Sequence, residues 1–200
     1  MPKKFVVIVA GGSGTRMRSA TPKQFLLLGK LPVLGHTLQV FHKTLPEAQL
    51  ILVLPKDHHE TWKKLNAKHP CKVPHTVTEG GRSRFHSVKN GLDLVPENAL
   101  VAVHDGVRAL VPEKVILNGF SLAAEKQSAI PVIKVSSSLR QLNSEGSISV
   151  NRDEFRIVQT PQVFDSTALK KAMSQEYKEH FTDEATVWES EIGPVHLYEG

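Results

Sequence analysis

The sequence predicts an α/β fold of three layers: a mostly parallel, Rossmann-like sheet between two layers of helices, with a β-hairpin arm protruding from it. Three observations carry this. Short, continuous runs of Val, Ile and Leu at 5–9, 50–54 and 100–103 have the composition of strands buried on both faces, as parallel strands are. Segments of helical period alternate with these runs, and a βαβα order implies right-handed crossovers with helices on both faces. A glycine-rich turn follows the first run directly, and in such sheets ligands sit at the carboxyl ends of the strands.

Taken in order, 5–9 is the first strand. The lysines ahead of it give it the outline of a secretory leader, but its apolar run is only about six residues against about 7–15 for such a segment. It reads as the first strand of a cytoplasmic protein. Residues 33–44 place Leu34, Leu38 and Phe41 on one helical face. The strand at 50–54 is followed by a polar, surface helix at 59–68. Residues 83–95 set Val88, Leu92 and Val95 at helical spacing, and 112–125 opens with Pro-Glu, which suits a first helical turn. The rule of strand ends brings the turns after Val9, Val77 and His104 into one crevice.

The rhythm changes after Pro131. Residues 139–142 and 147–150 flank Asn143-Ser144-Glu145-Gly146, a hairpin signature. A two-stranded ribbon is marginal in water unless it packs on something. The arm at 134–156 is therefore expected to lie over the domain or to reach a partner subunit. Helical patterns return at 166–176 and 183–190, and 195–198 reads as a last strand. With no repeat, low-complexity tract or linker, 1–200 reads as one domain with an arm.

The apolar and charged fractions, 40% and 22%, are those of an ordinary globule. No apolar run approaches the roughly 20 residues that span a membrane, so no membrane partner is expected. The single cysteine, Cys71, excludes an internal disulfide and a cysteine-rich zinc site. The net charge of +5 suits either a nucleic-acid surface or a local cationic pocket. The lysines are scattered (Lys3, Lys4, Lys43, Lys63, Lys64, Lys170, Lys171), and two Trp and two Tyr offer few stacking platforms. This favours the pocket, with no nucleic-acid partner.

The chemistry concentrates in A-G-G-S-G-T-R-M (10–17) and the T-P-K-Q-F that follows at 21–25. A turn of this kind wraps backbone N–H groups around phosphates, and Arg16 and Lys23 add the charge that a triphosphate and its transition state require. The pattern is neither G-x-x-x-x-G-K-[ST] nor a dinucleotide fingerprint, in which Met17 would be Gly or Ala. A tight strand-to-helix connection is the plainer alternative; the two cations beside the turn weigh against it. Asp105, at the carboxyl end of a buried strand, suits an Mg²⁺ or hydroxyl contact as well as a turn or cap. Arg108 suits a ligand or a surface ion pair. Arg82 and Arg84 stand near a helix start, where cations are mildly unfavourable, and Thr182-Asp183-Glu184 reads as a helix cap. His58-His59 lack a third ligand at metal spacing, and Ser136-Ser137-Ser138 lacks the context of a nucleophile.

VAGGSGTRM and TPKQFLLLGKLPVL resemble the opening signature of the sugar-nucleotide-type nucleotidyltransferases. Within them, the chain resembles the 2-C-methyl-D-erythritol 4-phosphate cytidylyltransferase family of non-mevalonate isoprenoid biosynthesis. The resemblance continues, in order, through EGGRSRFHSV (79–88), VHDGVRALV (103–111), PVIKVSSSLR (131–140), QTPQVF (159–164) and TDEA (182–185). It implies that Ala10, Gly11, Gly12 and Gly14 face CTP, with Arg16 and Lys23 on its phosphates. Gly81, Arg82 and Ser87 would lie around the cytosine and Gly106 under the ribose. Asp105 and Arg108 would face the polyol phosphate or Mg²⁺-bound phosphates, and Thr160 the same substrate. Ser138 and Arg152 would reach the neighbouring subunit's site from the arm, making a homodimer. Arg16, Lys23 and Arg152 are the implied catalytic cations, and Mg²⁺ or another divalent cation is held mainly through phosphates, with Asp105 its one candidate protein ligand.

Ser137-Ser138 stands where the family has Asp-Thr, and Gly106-Val107 where it has Ala-Ala. The family's Asn-Ile-Lys segment follows a final Glu-Gly; this sequence stops at Glu199-Gly200, so impaired catalysis is expected of the chain as it stands. The implied reaction is transfer of CMP from CTP to the polyol phosphate. A ribitol 5-phosphate cytidylyltransferase and a non-catalytic nucleotide-binding homologue are the alternatives.

Overall fold

In the computed structural model, which describes residues 2–12 and 21–200, β1 (Lys4–Val9) lies inside the sheet between two parallel neighbours. Strand side chains alternate between faces. Val6 and Ile8 therefore enter one apolar layer while Phe5 and Val7 enter the other. Burial on both sides explains the unbroken apolar run. β2 (Leu27–Leu28) and β3 (Leu31–Pro32) form a small antiparallel ribbon that leads into α1 (Val33–Thr44). β4 (Gln49–Leu54) is parallel to β1. After α2 (His59–Lys68), which buries only Trp62, β5 (Thr76–Glu79) extends the sheet parallel to β4. α3 (Arg84–Leu92) returns the chain to β6 (Leu100–Asp105), parallel to β1 on its other side.

α4 (Glu113–Lys126) leads to β7 (Ser128–Lys134), and the hairpin β8 (Leu139–Asn143) and β9 (Gly146–Val150) stands apart as its own two-stranded sheet. β10 (Arg156–Val158) and β11 (Gln162–Asp165) return antiparallel to β7, and β11 also pairs antiparallel with β6. α5 (Ser166–Ala172) and α6 (Glu184–Glu191) follow, and β12 (Leu197–Glu199) pairs parallel with β7. The sheet is thus mixed but mostly parallel. One face packs on α1, α2 and α4 through Leu38, Trp62 and Phe120; the other packs on α3, α5 and α6 through Val88, Leu169 and Trp188. Each such buried side chain contributes about 1.5–3 kcal/mol over its exposed state.

The expected helices form, with bounds set by their caps. Ser83 accepts from the backbone N–H of His86, so α3 begins at Arg84, and it stops at Leu92 rather than continuing to Val95. Asp183 forms a capping box with Thr186 and starts α6. Pro112 caps α4 from outside, and Gln127 ends it in the left-handed region at φ +66°.

The sequence gives no sign of β7, because Pro131 sits in its middle. A proline removes a ladder N–H, yet here none is missing. Ile130 N–H bonds His196 O and Gly200 N–H bonds Val132 O on the β12 side. The Pro131 carbonyl accepts from Gln159 N–H at 2.8 Å, within the interruption between β10 and β11.

Candidate active site

The carboxyl ends of β1, β4, β5 and β6 meet at one crevice, and backbone hydrogen bonds tie them together. Ala10 N–H reaches Val53 O at 3.0 Å, Gly80 N–H reaches Leu54 O at 2.8 Å, and Gly106 N–H reaches Val9 O at 2.9 Å. The expected convergence of three turns is therefore what the fold produces, with the β5 turn following Glu79 rather than Val77.

Ala10, Gly11 and Gly12 form the visible start of the glycine turn; Gly14 and Arg16 lie outside the described residues. Gln24 fixes this start. Its side chain is 1% exposed, and its amide donates to the carbonyls of Ala10 at 2.9 Å and Gly12 at 3.2 Å. With both carbonyls turned to Gln24, the strand end is anchored to the short 3₁₀ turn Lys23–Phe25. Lys23 is exposed at the start of that turn, immediately before the anchoring glutamine.

Gly106 seats the second lip. A Cβ there would come within 2.7 Å of Ala10 Cβ and 3.1 Å of Leu34 Cδ1, so glycine lets the β6 turn lie closer to the β1 turn than the alanine usual in the family would without a shift. Its carbonyl accepts from Thr37 Oγ1 at 2.9 Å. The third lip is Gly80-Gly81. Gly81 packs so tightly on α3 that a Cβ would fall 2.3 Å from His86 Cβ. Its N–H donates to Ser87 Oγ at 3.0 Å, and the same hydroxyl donates to Ser83 O at 2.9 Å. Arg82 is exposed and donates from Nε to His86 at 3.2 Å. Gly81 and Arg82 thus lie on the loop that leads into α3, and Ser87 on the first turn of that helix holds it.

Asp105 is held between two guanidinium groups. Its Oδ1 accepts from Arg84 Nη1 at 2.6 Å and its Oδ2 from Arg108 Nε at 2.8 Å. Arg84 also grips Glu184, donating to its two oxygens at 3.2 and 2.8 Å. Burial opposes the charge on Asp105, but Arg84 and then Arg108 outweigh it and hold the carboxyl below the usual range. Burial likewise opposes the Arg84 charge, and Glu184 and Asp105 outweigh it, keeping the guanidinium protonated. Arg108 is oriented a second time by Gln159 Oε1, at 2.6 Å from its Nη1.

Behind Asp105 lies His104, wholly buried, its pKa pushed down to about 4 by desolvation. A neutral ring suits its two contacts: Nε2–H donating to Arg108 O (3.1 Å) and Nδ1 accepting from Thr160 Oγ1 (3.0 Å). Thr160 Oγ1 in turn accepts Asp105 N–H at 3.3 Å. Thr160 is buried and supports the β6 end from beneath. Ser138 and Arg152 are exposed at the arm, where Arg152 Nη1 donates to Ser136 O at 2.6 Å.

A model of the 2-C-methyl-D-erythritol 4-phosphate cytidylyltransferase family matches residues 4–200. The chain belongs to this family. A relative from Bacteroides thetaiotaomicron named 2-C-methyl-D-erythritol 4-phosphate cytidylyltransferase is 50% identical over 99% of this chain and 90% of its own. The solved structure of that name from Thermus thermophilus is 29% identical with a TM-score of 0.77, covering 99% of this chain and 89% of the other. The bifunctional IspDF of Campylobacter jejuni is 25% identical with a TM-score of 0.82. It matches 99% of this chain, which spans half of that longer protein.

Four residues that build this site received no site role from the sequence: Gln24, Thr37, His104 and Glu184. Gln24, His104 and Glu184 fall inside TPKQF, VHDGVRALV and TDEA, so motif membership was their only cue, and Thr37 had none. Glu184 is 100 residues from the Arg84 it binds, and its neighbour Asp183 accounts for the cap by itself.

Proposed function

We propose that the chain transfers the cytidylyl group of CTP to 2-C-methyl-D-erythritol 4-phosphate, giving 4-diphosphocytidyl-2-C-methyl-D-erythritol and pyrophosphate. The family match over residues 4–200 carries this reading. An oxygen of the acceptor phosphate attacks the α-phosphorus of CTP. The bond from that phosphorus to the β-phosphate's bridging oxygen breaks, and pyrophosphate leaves with the electron pair. A phosphate monoester has its second pKa near about 6, so it is already largely a dianion at neutral pH. It needs no base. The protein's work is to align two polyanions and offset their charge.

In this reading Ala10, Gly11, Gly12 and Gly14 line the triphosphate, with Arg16 and Lys23 on its charge. The loop of Gly81 and Arg82, with Ser87 of α3 behind it, borders the cytosine, where backbone groups can answer a 4-amino donor and an N3 acceptor. Gly106 lies under the ribose. Arg108, oriented by Asp105 and Gln159, meets the acceptor phosphate, with Thr160 behind it. The chain works in the cytoplasm, where CTP is made; among the described residues no helix is long and apolar enough to cross a membrane.

Asp105 does not fit a metal ligand as it stands, because both its oxygens already accept from guanidinium groups. Among the described residues no cluster of three or more His, Cys, Asp or Glu side chains could cage a cation. A divalent ion suits the site as part of the CTP complex, since Mg²⁺ is commonly bound through substrate phosphates.

The arm supports a homodimer reading. Leu142, 82% exposed, and Ile148, Phe155 and Ile157 present apolar surface on residues 142–157, where a second copy would cover them. Ser138 and Arg152 would then stand at the partner's crevice.

Pyrophosphate release by the purified protein tests the activity. CTP with 2-C-methyl-D-erythritol 4-phosphate should turn over at least tenfold faster, about 1.4 kcal/mol in kcat/KM, than CTP with ribitol 5-phosphate. A reversed preference would favour the other acceptor. CTP binding without any turnover would favour a non-catalytic homologue.

A further inference from the structure

We propose that Glu184, on α6, is a positioning residue for Arg108, acting through Arg84 and Asp105. The four side chains form one chain of ion pairs that runs from the core to the crevice. Glu184 is 2% exposed at its inner end, Arg84 and Asp105 are about a quarter exposed, and Arg108 is the most exposed. Glu184 takes two nitrogens of Arg84 in a two-point grip, at 3.2 and 2.8 Å. One nitrogen of the fork, Nη1, is left for Asp105 Oδ1 at 2.6 Å. Asp105 Oδ2 is thereby presented to Arg108 Nε at 2.8 Å.

The order of these contacts matters because a guanidinium prefers to bind a carboxylate by two parallel hydrogen bonds. Glu184 satisfies that preference in Arg84. Without it, Arg84 is free to turn its fork onto Asp105 and take both oxygens, leaving Arg108 with Gln159 alone. Two acids and two guanidinium groups also balance in charge. Removing the Glu184 charge leaves a net positive cluster in which Arg84 and Arg108 compete for one carboxylate. The helix cap does not account for Glu184, since Asp183 and Thr186 complete the capping box without it. A buried ion pair is a weak device for stability when apolar packing would serve as well. The geometry gives this one a directional role at the site instead.

The proposal rests on the reading that Arg108 meets the acceptor phosphate, and its test separates the two. In Glu184→Gln, KM for 2-C-methyl-D-erythritol 4-phosphate should rise about tenfold while KM for CTP stays within about twofold. In an Arg108→Lys background the same substitution should change the acceptor KM by less than about twofold, because Glu184 acts only through Arg108. The Arg108 Nε–Hε signal of the ligand-free protein, assigned by its loss in Arg108→Lys, should move in Glu184→Gln. That readout needs no turnover, so an inactive wild-type protein would refute the function while the signal still decides the coupling. Arg84→Lys, which cannot form the two-point grip, should reproduce both effects if Glu184→Gln does not fold. An unmoved Arg108 signal, an equal rise in both KM values, or additive effects in the double variant would overturn the proposal. Loss of the fold in both variants would overturn it too, by assigning the clamp to stability alone.

Discussion

Gln24→Glu puts a sharp demand on the anchoring of the glycine turn. The substitution is nearly isosteric, so packing around the side chain is preserved. Chemically it replaces an amide that donates to two carbonyls, at 2.9 and 3.2 Å, by a carboxylate that can only accept. Two acceptors lose their donor in a site only 1% exposed. At about 1–2 kcal/mol for each buried group left unpaired, the cost is about 2–4 kcal/mol. For a chain of this length that lowers Tm by roughly 4–16 °C, at about 2–4 °C per kcal/mol. A carboxylate facing carbonyl oxygens in a dry site takes up a proton more readily than in the unfolded chain, so its folded pKa is raised. A raised carboxyl pKa favours the folded state at low pH, and that help is lost as pH rises through the folded value. The deficit against wild type should therefore be smaller at pH 5 than at pH 8. Urea unfolding at both values reads the stability, and KM for CTP, expected to rise as the turn loosens, reads the site. A variant within about 0.5 kcal/mol of wild type at pH 8, the scatter of ordinary surface changes, with unchanged KM for CTP, would refute the anchoring role.

Lys23→Ala should lower kcat by at least about a hundredfold while raising KM for CTP only a few-fold, because a cation on the triphosphate counts most as charge develops; steady-state pyrophosphate release checks this. His104, neutral and with its pKa pushed to about 4 against an ordinary value of about 6.5, should make the fold lose stability as pH falls from 6.5 to 4, on the order of 3 kcal/mol. In His104→Asn that window should flatten, whatever the variant's absolute stability, as unfolding titrations at several pH values would reveal. Replacing Leu142 and Ile148 together by Glu should shift the proposed dimer to a monomer in sedimentation analysis and leave Tm of the protomer nearly unchanged, since both side chains are exposed.

How much of this was legible before folding depended on whether a residue's signal was local. β1, β4 and β6 announced themselves because burial on both faces demands an unbroken apolar run. The hairpin was legible from Gly146, which adopts φ +131° at the turn. β10 is three exposed residues and carries no pattern at all. β7 was hidden by Pro131, and only the interruption opposite it, between Val158 and Gln162, makes a proline harmless there. At the site, the glycine turn and the cations beside it were legible as composition. The partners of Gln24 and Glu184 were not, because neither spacing nor propensity tells where a polar side chain will point across the core. Arg84 is the instructive case. Its place in the first turn of α3 is one where a cation is mildly unfavourable, and the partners it has in the fold are two carboxylates of the chain itself.

His104 and Asp105 side by side have the outline of an acid–base pair, and the structure removes both from proton transfer. A useful general base has a pKa near the working pH. Asp105 is held below the ordinary carboxylate range between Arg84 and Arg108, and His104 is buried with both ring nitrogens already hydrogen-bonded. Neither can reach a substrate proton without breaking the frame of the β6 turn. For most transferases that would be a defect. A phosphate acceptor that arrives as a dianion makes it an asset, because a free base here would add negative charge where two polyanions must already approach. The same two residues instead fix the backbone of the β6 turn and the Arg108 guanidinium, the group proposed to meet the acceptor. Under the proposed roles, the site depends on how rigidly its cations are aimed, so loosening the contacts of Gln24 and Glu184 should raise KM for CTP and for the acceptor, respectively.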